Sequence, residues 1–230
     1  MFAGHYAAAL AAKSAEPRAP LWSYAIACQF LDLGWAGLIM TGAEKASIDP
    51  SLPGSPLVLY DMPWTHSLPG SLAWSVAGAL LARFALRVPW RAAAFIGLAV
   101  FSHWLADLLV HRPDLLLWPN GPKVGLGLWN SPVAEQAVEI GLLAVTGVFW
   151  TAWRLRDGRP AWPAAAFLTV LVALQIYAMS SPEGGSPGAV NRMQTGGLAL
   201  LGYGAVALVA WLVERGPSVR PQAPERLPAS

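Results

Sequence analysis

Six runs of mostly apolar residues, each about the 20 residues that a helix needs to cross a bilayer, set the terms for everything else in this chain. They lie at Leu21–Met40, Leu68–Leu86, Ala92–Val110, Val133–Trp153, Ala161–Met179 and Gly197–Val213, with proline, glycine or charge between them. Only 12% of the 230 residues are charged, where a soluble domain carries about 25%. So few charges cannot clothe a water-facing surface, but they suit a surface that meets lipid. The expected fold is therefore all-α: a polytopic helical bundle of about six transmembrane helices, one domain over residues 1–215.

The loops alternate in charge. One set holds Lys13 and Arg18, then Arg83, Arg87 and Arg91, then Arg154, Arg156 and Arg159, then Arg215, Arg220 and Arg226. The other set holds Lys45, Arg112, Lys123 and Arg192. By the positive-inside rule both termini are expected in the cytoplasm. Trp64, Trp90, Trp118, Trp129 and Trp153 fall near the ends of runs, where interfacial aromatics belong. The net charge of +2 is small and scattered, so no nucleic-acid face is expected. Cys28 is the only cysteine, which excludes an intrachain disulfide and a cysteine zinc site.

Two segments are not simple spans. Phe2 to Ala12 is apolar and helix-prone but too short to cross, and is expected to dip into the bundle as a half-helix. Arg112 to Pro132 is apolar but broken by proline and glycine, and reads as an interfacial or re-entrant cap on the outer face. The proline-rich stretch 216–230 is expected to be a disordered cytoplasmic tail.

Ionisable residues inside such runs are costly, about 2.5–3.5 kcal/mol for an aspartate at a helix centre, so each is a functional candidate. His103 and Asp107 lie four apart on one helical face, a spacing that suits two metal ligands or a histidine oriented by a carboxylate. Asp32 sits in the first run, and His66 opens the second. Glu139 lies inside the fourth run and His5 in the N-terminal half-helix. Counted at about 1.5 Å per residue, Asp32, His103 and His5 come out near mid-membrane. Asp107, Glu139 and His66 come out nearer the outer face, so all six can converge in a cavity opening outward. His111 is expected off this stripe and near water, and Glu135 and Asp61 as exposed carboxylates. Imidazole and carboxylate without thiolate suit zinc, with manganese or iron(II) as alternatives. From spacing alone, a hydrogen-bonded pair that locks helix packing remains an equal reading of His103 and Asp107.

At these residues the sequence resembles a bacterial family of inner-membrane proteins designated metal-dependent hydrolases on their motifs. The matching elements are Gly4-His5-Tyr6, Leu31-Asp32-Leu33, His66-Ser67 and the His103-x-x-x-Asp107 helix, over the first half to two-thirds of the chain. That family is distantly similar to the zinc-dependent phospholipase C and single-strand nuclease superfamily. The resemblance implies a multi-pass protein of the bacterial inner membrane. It also implies a divalent metal, expected to be zinc, held by His5, Asp32, His66, His103 and Asp107. Asp107 and Glu139 would be the catalytic carboxylates, Glu139 as general base or further ligand, on a phosphoester of a lipid or lipid-linked substrate. The chain departs from the family where it has Phe30-Leu31-Asp32 in place of Pro-Asp-x-Asp, and where it lacks Arg-Gly before His66. A transporter, metal or proton carrier or scaffold using the same cluster is the competing reading, and a purely structural metal a third. Nothing in the sequence sets the oligomeric state.

Overall fold

The computed structural model describes residues 1–180 and 187–215, so the expected tail at 216–230 lies outside the described residues. Eight α-helices account for most of the chain: α1 His5–Ala15, α2 Leu21–Ala27, α3 Phe30–Thr41, α4 Leu68–Phe84, α5 Trp90–Val110, α6 Pro132–Arg156, α7 Trp162–Ser180 and α8 Arg192–Glu214. Four of them, α5 to α8, are long and apolar enough to cross a membrane. The α2–α3 pair makes a fifth candidate, bent by 52°.

The expected count of six spans is thus not met as drawn. The run 21–40 is not one helix but two, broken around Cys28 and Gln29. The run 68–86 gives a helix of only 17 residues. It stops at Phe84, and Arg87 then takes a positive φ of 56° ahead of Pro89, a backbone geometry that helix cannot continue through. The helix still presents an apolar stripe, with Leu72, Val76, Leu80 and Phe84 exposed at helical spacing. Its other side is pressed onto α5 through small residues. Ser75 Oγ donates to the Gly97 carbonyl at 2.5 Å, and a Cβ on Gly97 would lie 3.1 Å from both Ala79 and the Ser75 carbonyl. Close approach of this kind is how helices associate where lipid removes the hydrophobic drive.

The short α1 lies inside the bundle, as expected of a half-helix. Tyr6, Ala9 and Leu10 are fully enclosed, and the main core joins them to Leu21, Tyr24, Trp104, Leu143 and Trp150. Its last turn meets charge: Lys13 pairs with Glu214 and donates to the carbonyls of Pro17 and Ala19. Glu16 holds Arg18 and lies 3.2 Å from Arg91, and Arg154 donates to the Pro160 carbonyl. One end of the bundle therefore gathers the arginine-rich ends of α1, α5, α6 and α8.

The opposite end is not helical, which corrects the all-α expectation. Strands β1 Lys45–Ile48 and β2 Leu57–Asp61 pair antiparallel, with Ala46 opposite Leu59, and β5 Gly188–Ala189 adds to the other edge of β1. The expected cap contains β3 Leu115–Leu116 and β4 Lys123–Val124, followed by a 3-10 turn at Leu128–Asn130. The two pieces are stitched together. Lys123 donates to the carbonyls of Leu59 and Tyr60, and Arg112 donates to those of Ser55 and Pro53. Asp114 accepts from the Leu59 amide at 3.0 Å. A second buried cluster of Trp35, Ile39, Ala46, Leu59, Met62 and Leu115 seats this cap on α3.

Candidate metal centre

The His103-x-x-x-Asp107 spacing places both side chains on the buried face of α5, with Nε2 of His103 3.0 Å from Oδ2 of Asp107. Three other segments bring donors to the same point. The break between α2 and α3 puts Asp32 in the first turn of α3, where a helix N-terminus favours a carboxylate. Its Oδ1 lies 3.4 Å from His103 Nε2 and 3.3 Å from His66 Nε2. His66 is held just ahead of α4, whose N-cap is Ser67, accepting from the Gly70 amide. His5 opens α1, with Nε2 3.2 Å from Oδ1 of Asp107. Two three-residue donor sets result, His5–His103–Asp107 and Asp32–His66–His103, each with its atoms within 4.8 Å of one another.

All five expected ligands are thus brought together. Four ligands about 2.0–2.1 Å from a tetrahedral zinc stand about 3.3 Å apart. The distances above, 3.0 to 3.4 Å, fit that spacing. Hydrogen bonding between the same atoms would give similar lengths, so the orientation of the rings is what discriminates. His103 Nδ1 lies 2.8 Å from the Cys28 carbonyl, a group that can only accept. The ring proton of neutral His103 is therefore on Nδ1, and Nε2 turns a bare lone pair toward two carboxylates. In agreement, Nε2 of His103 and Nε2 of His5 are buried and make no hydrogen bond, despite the nearby oxygens. In the neutral ring such lone pairs repel the carboxylates unless a cation, a metal ion or a proton on Nε2, lies between them. The residues present therefore fit a divalent metal.

Sequence-family comparison adds an independent finding. A family model described as YdjM inner membrane protein matches residues 2–181. The chain belongs to the YdjM inner membrane protein family. The YdjM match spans α1 to the end of α7 and takes in every expected ligand. An inner-membrane protein agrees with the apolar helices and with the exposed leucines and phenylalanines of α4, α6 and α8. No curated protein and no solved structure matches the chain.

Within this YdjM-family chain, the remaining expected residues fall differently. Glu139 is not among the converging donors. Its carboxylate accepts from the amides of Phe2, at 3.1 Å, and Gly4, at 2.8 Å, and so fixes the segment that carries His5. Gln175 does the same for the Ala3 amide. Glu135, expected to be exposed, is buried beside Gln136, which donates to it. Asp61 pairs at the surface with Lys45.

His111 overturns its expectation. It is buried, with Nε2 3.7 Å from Oδ1 of Asp107 and Nδ1 3.0 Å from Oδ1 of Asp114. All four histidines of the chain thus turn Nε2 toward Asp107, two toward each oxygen: His5 and His111 to Oδ1, His66 and His103 to Oδ2. The four-residue spacing from Asp107 is a signal in the sequence only by analogy, since α5 ends at Val110 and the extended backbone of His111 brings its ring back. Tyr203 was not foreseeable. It reaches in from α8, beyond the YdjM match, and donates to Asp32 Oδ2 at 2.6 Å.

The cluster itself is enclosed, with Asp32 its most open member at 15% side-chain exposure. Next to it, on the strand-bearing side, lies a cavity of about 530 Å³ lined by Phe2, Trp129, Glu135, Gln136, Glu139 and Gln175. Met1 lies between the two: it lines the cavity, and its amino group is 3.4 Å from Asp107.

Proposed function

We propose that this YdjM-family protein is a membrane-embedded, metal-dependent hydrolase that acts on phosphoesters of lipid or lipid-linked substrates. The observation that carries the metal reading is the buried Nε2 of His103, which makes no hydrogen bond yet faces two carboxylates while its Nδ1 is bonded to the Cys28 carbonyl. His5, Asp32, His66, His103 and Asp107 hold the ion. Oxygen and imidazole donors without thiolate favour zinc. A divalent ion in such a site lowers the pKa of a bound water to about 7 and polarises a phosphoryl oxygen.

The chain's own residues do the rest. Tyr203 occupies Oδ2 of Asp32 and leaves Oδ1 to face the histidines. Glu139 fixes His5 through the amides of Phe2 and Gly4, and it also lines the cavity with Glu135, where it would serve as the general base. The cavity is walled by the start of α6, the end of α7, the N-terminal residues and the segment 50–56, and it is the space beside the cluster in which a substrate would be held. With the arginine-rich end in the cytoplasm, the ends of α1 and α8, where Lys13 meets Glu214, face the cytoplasm and the strand-bearing cap is outside; the expected cytoplasmic N-terminus is corrected in one respect, since the Met1 amino group is buried beside Asp107.

The test begins with the metal content of the full chain purified in detergent, alongside His103→Ala and Asp107→Ala. Wild type should hold zinc in fixed proportion to protein and both variants should lose it. A metal-free wild type sinks the proposal. Bound metal with no turnover across lipid and nucleotide phosphoesters would leave a carrier or a structural metal.

A further inference from the structure

We infer that Glu44 and Thr65 form a positioning pair that sets the tautomer of His66, so that His66 presents Nε2 to the metal as a bare lone pair. The inference rests on the metal-site reading above. It begins at the end of α3, where Gly42 takes φ 80° and the amides of Ala43 and Glu44 both return to the Leu38 carbonyl. This turn directs Glu44 inward, where it is fully buried. Its Oε1 accepts from the amides of Trp64 and Thr65, at 2.9 and 2.8 Å. Its Oε2 accepts from the Thr65 hydroxyl at 2.7 Å.

That last bond decides the chemistry one residue on. A hydroxyl has one proton, and Thr65 gives it to Glu44. Thr65 Oγ1 also lies 2.7 Å from His66 Nδ1. With its proton committed, the oxygen can only accept there, so Nδ1 of His66 carries the hydrogen. Nε2 is then unprotonated in the neutral ring, and it is this atom that faces Asp32 and Asp107 at 3.3 and 3.6 Å. A carboxylate, a hydroxyl and an imidazole in series thus fix which nitrogen is free to ligate.

Glu44→Gln tests this with almost no change of shape. The two backbone amides at Oε1 require an acceptor, so the glutamine must place its oxygen there and its NH₂ toward Thr65. Thr65 then accepts from the glutamine and donates to Nδ1, and the ring hydrogen moves to Nε2, where it blocks ligation. Cobalt(II) binding to the full chain in detergent, measured by competition with a chelating dye, should weaken by about ten- to a hundredfold in Glu44→Gln. The cobalt absorption spectrum should also change, while the metal-free variant melts like the metal-free wild type. Thr65→Val, which removes the hydroxyl at constant volume, should show the same loss, and Thr65→Ser should restore wild-type binding and spectrum. Wild-type cobalt affinity in Glu44→Gln, or equal loss in Thr65→Ser and Thr65→Val, overturns the pair while leaving the metal site standing. A wild type that binds no cobalt overturns the metal reading itself.

Discussion

Asp107 and Glu139 are two buried carboxylates with opposite surroundings. Glu139 faces peptide amides, which can only donate, so it is satisfied as it stands. Asp107 faces the Met1 ammonium at 3.4 Å and four imidazole nitrogens, and where a neutral ring donates through its other nitrogen, as His103 does in that form, the near one has nothing to give. Burial does not separate the two, since each is about 1–2% exposed. The chemistry of the partner separates a carboxylate that holds the chain in place from one that stands among the proposed metal-ligand side chains.

Removing the charge of Asp107 should have the largest effect. Asp107→Asn should abolish metal binding, seen as metal content near zero after gel filtration, yet melt at or above the metal-free wild type, because an amide can donate to the bare nitrogens. Glu139→Gln should behave the other way. It should keep its metal but lose stability by about 1–3 kcal/mol, the cost of weakening an acceptor shared by buried amides, read from thermal melting. If Glu139→Gln empties the site while Asp107→Asn does not, the contrast between the two carboxylates is reversed.

Chelation should sharpen the same contrast. Stripping metal from wild type should remove the linkage stabilisation, about 2.7 kcal/mol when free metal stands at a hundred times Kd, and so lower its melting point. It should leave Asp107→Asn unmoved. The smallest effect is expected at His111, farthest of the four histidines from Asp107 at 3.7 Å. His111→Ala should weaken metal affinity by less than His103→Ala in the same titration, and a larger loss would place His111 among the principal ligands.

The legible part of the site was what helical periodicity carries. His103 and Asp107 share a face because they are one turn apart, and the charge alternation of the loops foresaw the arginine-rich end where Lys13, Glu16, Arg91, Arg154 and Glu214 meet. His111 was missed because periodicity stops with the helix. α5 ends at Val110, and His111 has extended backbone, with ψ 148°, that folds its ring back toward Asp107. The sheets were missed because their strands are two to five residues long and β5 joins from more than a hundred residues away. Glu44 and Tyr203 were invisible for a related reason. Their partners, Thr65 and Asp32, are set by tertiary packing, and no local pattern marks them.

The break between α2 and α3 has a mechanical side. The Cys28 carbonyl at the end of one arm grips His103, while Asp32 at the start of the other arm faces the same ring. Straightening the 52° elbow would swing these two grips apart. An ion drawn to the cluster would therefore act as a splint, and the angle of a helix pair would become a gauge of whether the centre is filled.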